Sequence, residues 1–127
     1  MDKVKEFSEK DAFARHCGVE LLEIGVGTAK GRLMLTSDHF NGMGSAHGAA
    51  LFTLADAVFA AAANSHGHVA VAVNINISYL KPIEGGVLIA EAKENNARGR
   101  IGSYTVTITD ESGATAALFE GLAYRKF

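Results

Sequence analysis

The chain has 127 residues, of which 48% are hydrophobic, and its formal net charge is −2 at pH 7. This length suits one domain and this apolar content suits a packed core, so we predict a single globular domain over residues 1–127 and exclude a disordered chain. The small charge, without a basic block, argues against nucleic acid as the main partner. Cys17 is the only cysteine, which excludes an intramolecular disulfide and fits a reducing compartment.

The N-terminal part of the chain lacks the apolar run of a signal peptide. Residues 4–16 instead place apolar side chains near helical spacing, which predicts a short amphipathic helix. The one long apolar stretch, residues 49–63, is shorter than a membrane span and carries Asp56 near its middle. We therefore expect a soluble, cytoplasmic protein with no membrane partner.

Two strands, a loop and a long helix are predicted next. Residues 19–27 and 28–36 have the pattern of strands joined by a tight turn, and residues 37–46 are rich in Gly, Asn, Ser and Asp, which indicates a loop. From residue 47, HGAALFTLADAVFAAAAN contains strong helix formers, no proline and few polar side chains. A helix that is apolar almost all round should be buried on most sides.

The rest of the chain predicts strands. Residues 69–79 alternate with a period of two that places the large side chains on one face. Further strands are predicted at residues 87–93, 104–109 and 114–125, with a hairpin turn at residues 111–113. Because consecutive strands with short turns pair antiparallel, the predicted fold class is α+β, with an antiparallel sheet of about five to six strands wrapped round one long central helix.

Two residues of the long helix suggest chemistry. Asp56 is a carboxylate in an apolar stretch, where desolvation should raise its pKa and suit it to act as a general base or nucleophile. A loop cap or a partner for an arginine explains Asp56 equally well. Gly48 lies at the helix start, where its N–H has no partner inside the helix and a substrate oxygen can approach it, as an oxyanion hole requires. A plain helix start is the alternative for Gly48.

The spacing of these two residues predicts an oligomer. Eight residues of helix separate Gly48 from Asp56, a rise of about 12 Å. One small carbonyl group cannot contact both residues of the same helix. If both act on one substrate, they come from different subunits, which predicts a homodimer with antiparallel helices and two equal sites.

The stretch NGMGSAHGAALFTLADAVFAAAANSHG, residues 41–67, resembles the PaaI-type (phenylacetic acid degradation) branch of the hotdog-fold acyl-CoA thioesterases. The resemblance continues through NISYLKP at residues 76–82, RGRIGSY at residues 98–104 and GLAYR at residues 121–125, and so covers nearly the whole domain. It implies the hotdog fold, homodimers that pair into tetramers, and hydrolysis of aryl-acyl or short- to medium-chain acyl-CoA thioesters. It implies no metal or redox cofactor, since coenzyme A is part of the substrate.

The resemblance also implies roles for single residues. Asp56 would activate water or attack the thioester carbonyl, and the Gly48 amide would polarise that carbonyl. Asn41 would position the water or the acyl group, and His47 would lie beside the site without an assigned role. Relatives often have His-Gly-Gly where this chain has Ala49 as the third residue, so we expect a narrower acyl pocket rather than different chemistry.

Three basic residues are candidates for binding the phosphates of coenzyme A, which require positive charge or N–H donors. Arg98 and Arg100 lie in a glycine-containing connection where the family pattern places the nucleotide, and Lys81 precedes a proline. Two solvated arginines in a hairpin are the alternative.

The sequence is compatible with other functions. An enoyl-CoA hydratase on the same fold would favour an Asp/His pair near a helix start, which Asp56 in mid-helix does not match. A non-catalytic acyl-CoA binding module would use the same pocket without needing Asp56, and a purely structural oligomer would leave Asp56 and Asn41 without a reason. The histidines show no metal-binding spacing with acidic or cysteine partners.

Overall fold

The computed structural model describes residues 2–126, which form one long helix against a six-stranded antiparallel sheet, preceded by two short helices. This confirms the predicted fold class and number of strands. Within the described residues, no helix is both long and apolar enough to cross a membrane. The strands lie in the order β1-β2-β4-β5-β6-β3, and their bounds are β1 Val19–Gly25, β2 Thr28–Met34, β3 Val69–Tyr79, β4 Val87–Asn96, β5 Ile101–Thr109 and β6 Thr115–Lys126.

The N-terminal segment forms two helices, α1 at Lys3–Lys10 and α2 at Ala12–His16, rather than the single helix predicted over residues 4–16. Asp11 separates them because it serves both helix ends. Its backbone leaves the helical conformation, and its side chain accepts the N–H of Ala14 at 3.1 Å as the N-cap of α2.

The long helix α3, Gly48–Ala63, is buried as its apolar sequence predicts, since ten of its sixteen residues belong to the core. The sheet curves closely round it: a Cβ added to Gly121 of β6 would lie 2.7 Å from the ring of Phe59. Beyond α3, the Asn64 side chain donates to the Ala70 carbonyl at 3.1 Å and accepts the Ala70 N–H at 2.9 Å. These bonds connect the end of the helix to the start of β3.

Among the described residues, strand β3 lies at an edge of the sheet and pairs only with β6, because β2 lies beside β4. The pairing of consecutive strands therefore fails for β3 and β4. A bulge between Ala72 and Asn74 also interrupts the strand and shifts its alternation. The prediction that the large side chains of residues 69–79 share one face is consequently wrong: Val69, Val71 and Val73 are exposed, whereas Ile75 and Ile77 are half-buried.

Candidate active site

The start of α3 presents an amide donor that the fold does not use. His47 is the N-cap, and its Nδ1 accepts the N–H of Ala49 at 3.0 Å. The N–H of Gly48 has no hydrogen-bond partner within residues 2–126 and lies at the positive end of the helix dipole. It can therefore donate to a substrate oxygen on which negative charge develops.

Tyr79 packs against this helix start, although the sequence pattern predicts only its place at the end of a strand. Its hydroxyl donates to the Gly48 carbonyl at 3.0 Å, and burial raises its pKa. A Cβ added to Gly48 would lie 3.0 Å from Cζ of Tyr79. The absence of a side chain at Gly48 thus lets the tyrosine ring pack directly against the helix start.

A cleft of about 360 Å³ opens in front of Gly48, with Asn41 and Lys81 on its walls beside the apolar side chains of Leu51 and Ile83. The Oδ1 of Asn41 accepts two backbone N–H groups of its own loop, those of Met43 at 2.9 Å and Ser45 at 3.2 Å. The side-chain oxygen of Asn41 is therefore occupied by hydrogen bonds within its own loop. Its Nδ2 amino group is the donor that remains to contact a water or an acyl group in the cleft.

His47 has a structural role, which the sequence did not assign. Because its Nδ1 accepts a hydrogen bond, the neutral ring carries its proton on Nε2. The side chain lies outside the cleft, in a groove of about 210 Å³ that Phe13, Thr53 and Ala49 also line. The extra methyl group of Ala49 accordingly lies in this groove and not in the cleft at Gly48.

Asp56 is half-buried in the middle of α3 and does not line the cleft. Burial raises the pKa of its carboxyl group, and the charge of Asp11 raises it further. Within residues 2–126 the carboxylate forms no hydrogen bond or ion pair, so the two structural explanations that its sequence left open are not found there. A carboxyl group with a raised pKa and no internal partner is suited to proton transfer or nucleophilic attack.

Within the chain, Lys81 lies at one end of the sheet and the two arginine candidates lie at the other. Lys81 lies at the rim of the cleft and donates to Asp110 at 2.5 Å, and this bond holds the pKa of Asp110 well below its usual range. Arg98 and Arg100 lie in the connection between β4 and β5, beside the part of β6 at Tyr124. Tyr79, at the cleft, pairs with Ala117 of β6, which is seven residues or about 23 Å from Tyr124 along the strand. A single chain therefore does not bring these arginines to its own cleft.

The two half-buried histidines, His39 and His66, are explained by structural contacts. His39 accepts the N–H of Thr36 at 2.9 Å through Nδ1, and its Nε2 bonds to the Cys17 carbonyl. His66 lies 2.6 Å from a carboxylate oxygen of Glu94. Within the described part of the chain, no three His, Cys, Asp or Glu side chains form a group that could hold a metal ion.

Comparison with known proteins places this helix start and sheet in a family. Residues 43–117 match the model of the thioesterase superfamily. The chain is 36% identical over 118 residues to the acyl-coenzyme A thioesterase PaaI of Escherichia coli K12, a match that covers 92% of this chain and 84% of that protein. These findings show that the protein is a thioester hydrolase, and the chain belongs to the thioesterase superfamily.

Solved structures identify the branch. The E. coli PaaI protein of the phenylacetic acid degradation operon superposes with a TM-score of 0.94 at 34% identity, covering 98% of this chain and 91% of that one. A mutant structure of PaaI from Thermus thermophilus gives a TM-score of 0.87 at 35% identity, covering 91% and 100%. The resemblance to the PaaI-type branch and the hotdog fold that it implied are confirmed.

Proposed function

We propose that the chain hydrolyses acyl-CoA thioesters to free acid and coenzyme A, with aryl-acyl or short- to medium-chain acyl groups. The observation that carries this proposal is the Gly48 N–H, unpaired within residues 2–126, in a cleft with Asn41 and on the same helix as the half-buried carboxylate of Asp56. The name of the E. coli relative, an acyl-coenzyme A thioesterase, supports the substrate class.

The Gly48 end of the site supplies electrophilic assistance. The thioester carbonyl oxygen accepts the Gly48 N–H and gains negative charge as the carbonyl carbon becomes tetrahedral. The amino group of Asn41 orients either the attacking water or the acyl group. Leu51 and Ile83 give the cleft apolar walls that exclude other water from the reacting carbon.

Asp56 acts on the carbonyl carbon in one of two ways. As a general base it takes a proton from water while the water oxygen attacks, and collapse of the tetrahedral intermediate breaks the C–S bond. The thiolate of coenzyme A then takes up a proton. As a nucleophile, Asp56 displaces the thiolate and forms a mixed anhydride, which water hydrolyses to regenerate the carboxylate.

The spacing within α3 requires a second subunit in this proposal, because Gly48 and Asp56 lie about 12 Å apart along one helix. The free edge of β3 supports such a dimer. Two copies that pair antiparallel along β3 form a continuous sheet, cover exposed apolar side chains such as Val69 and Val73, and place their α3 helices antiparallel. Gly48 then approaches Asp56 of the partner subunit. Two such dimers form the proposed tetramer.

The same antiparallel arrangement reverses the ends of the sheet. In the dimer, the connection that carries Arg98 and Arg100 of one subunit lies at the same end of the sheet as the cleft and Lys81 of the other subunit. The guanidinium groups can then bind phosphates of a coenzyme A whose thioester lies at Gly48.

A shared site predicts complementation between two inactive variants. Subunits with Asp56→Ala and subunits with Gly48→Pro should each lack activity, but half of randomly assembled dimers would contain one of each. Each mixed dimer has one intact site, so co-expression should restore about one quarter of wild-type turnover. The co-expressed preparation, purified without selection for mixed dimers, would be assayed beside each variant alone. Activity no higher than that of the single variants would show that the two residues do not form a shared site.

Thiol release from purified protein tests the reaction itself. A panel of aryl-acyl, short-chain and medium-chain acyl-CoA esters should give stoichiometric free thiol and acid, and the best ester would define the acyl group. Consumption of an enoyl-CoA double bond without free thiol would point to a hydratase. Saturable binding of the esters with no turnover would replace the proposal with a non-catalytic binding module.

A further inference from the structure

A buried arginine at the opposite end of the sheet from the cleft has no part in the mechanism above. Arg125 of β6 is 3% exposed. Its Nη1 donates to the carbonyl of Ala97 at 2.7 Å and to the carbonyl of Gly99 at 2.9 Å. These two residues flank the exposed Arg98. One buried guanidinium group thus holds the main chain on both sides of a proposed phosphate-binding residue.

Two further bonds fix the same connection. The N–H of Arg98 donates to Oδ1 of Asn96 at 3.0 Å, and the N–H of Arg125 donates to the carbonyl of Arg100 at 2.6 Å. The main chain from residue 96 to residue 100 is therefore held before any ligand arrives. A ligand that binds there does not have to order the connection, which removes one cost of binding.

The charge of Arg125 is balanced inside the sheet. Its Nη2 donates to the hydroxyl of Tyr104 at 3.3 Å and lies 3.6 Å from Oε2 of Glu94. That oxygen also accepts the Tyr104 hydroxyl at 2.7 Å and lies 2.6 Å from Nε2 of His66. Burial alone would raise the pKa of Glu94, but these partners lower it, so the group stays a carboxylate.

The space for this guanidinium group depends on a glycine. A Cβ added to Gly102 would lie 2.7 Å from Nη2 of Arg125 and 2.9 Å from Cε1 of Tyr104. The absence of a side chain at Gly102 of β5 therefore leaves room for the Arg125 side chain to reach the carbonyls of Ala97 and Gly99. The pair of buried Arg125 and half-buried Glu94 is a weak source of stability, because apolar side chains of similar size are often at least as stabilising as a buried ion pair.

We propose that Arg125 is a positioning residue for the substrate: it holds the β4–β5 connection so that Arg98 and Arg100 meet the phosphates of coenzyme A. This inference rests on the proposed thioesterase function. It assigns Arg125 an effect that depends on the nucleotide part of the substrate and not on the acyl group or the reacting carbonyl.

The test compares two thioesters with the same acyl group, one of coenzyme A and one of pantetheine, which has no phosphate. Arg125→Lys keeps the charge, but its side chain is one atom shorter, so its ammonium group falls short of the position from which Nη1 bonds the two carbonyls. We expect about a tenfold rise in KM for the CoA ester with little change in kcat. KM for the pantetheine ester should stay at the wild-type value. Arg32→Lys, at an exposed arginine paired with Glu20, is the matched control and should change neither KM.

A double-mutant cycle shows whether Arg125 acts through Arg98. Arg98→Ala should raise KM for the CoA ester to a similar extent, and adding Arg125→Lys should raise it little further. Independent, multiplying effects, or an equal rise for both esters, would overturn the inference. If Arg125→Lys does not fold, Tyr104→Phe takes its place, and an unchanged KM for the CoA ester would refute the inference. No thiol release from either ester by the wild type would instead refute the proposed function, and this inference with it.

Discussion

Replacing Asp56 by alanine is expected to lower kcat for a CoA thioester by about 10²- to 10⁴-fold, because either proposed mechanism loses its base or nucleophile. KM should change little, since in either mechanism the carboxylate acts on the reacting carbon in the transition state and does not hold the bound ester. Free-thiol release under saturating ester would measure the effect. Asp56→Asn, which keeps the size and polarity of the side chain, should lose activity to a similar extent.

The stability of the Asp56→Ala variant separates a catalytic role from a structural one. Burial and Asp11 raise the native pKa of Asp56, so the folded state disfavours its charged form and the ionised carboxylate opposes folding at neutral pH. The alanine variant should therefore unfold at an unchanged or higher temperature. Glu23→Ala, at an exposed carboxylate of β1, is the control and should keep wild-type turnover. An active Asp56→Ala enzyme, or one that is inactive because it unfolds, would contradict the assignment.

The pH profile of the wild-type enzyme gives a second measure of the same carboxylate. Only the ionised form can take a proton or attack the carbonyl, so kcat/KM should fall as pH drops through the pKa of Asp56. Because this pKa is raised in the folded protein, the acidic limb should lie above the ordinary range of an aspartate, about 3.9. A rate that stays level down to that range would mean that Asp56 is not the titrating group.

The long helix, the unpaired amide at its start and the half-buried carboxylate at its middle were predictable from the sequence because the signals there are local. A run of helix formers that begins at Gly48 and contains few polar side chains defines α3 and its burial. The free amide follows from the helix start, and the perturbed carboxylate follows from an acid in an apolar run. The fixed rise of a helix then separates Gly48 from Asp56 without any knowledge of the sheet.

The parts that the sequence did not reveal depend on contacts between distant residues. The position of β3 at the edge depends on the pairing of β2 with β4, and the bulge in β3 breaks a regular alternation without a local signal. Tyr79 meets Gly48 across 31 residues, and Arg125 meets Ala97 across 28. Residues 98–104 and 121–125 belonged to the recognised pattern, but only the folded chain shows that Arg125 supports the connection at Arg98.

A pair of substitutions at Gly48 isolates the role of its amide. Gly48→Pro removes the N–H without removing a hydrogen bond of the helix. Proline is accepted in the first helical position, and His47 already has the extended conformation that precedes proline. The loss of this donor should lower kcat by about 10²- to 10³-fold. Thiol release at saturating ester would measure it, with helix content by circular dichroism as the check on folding.

Gly48→Ala is the matched control, since it adds a Cβ against the Tyr79 ring, as proline does, but keeps the N–H. The ring must shift by a few tenths of an ångström, and because its contacting atoms are the exposed end of the side chain, this variant should fold and lose much less activity than Gly48→Pro. Comparison of the two kcat values therefore removes the effect of the Cβ contact with Tyr79 from the effect of losing the N–H. Equal losses in both variants would show that crowding at Tyr79, and not the N–H of Gly48, limits the reaction.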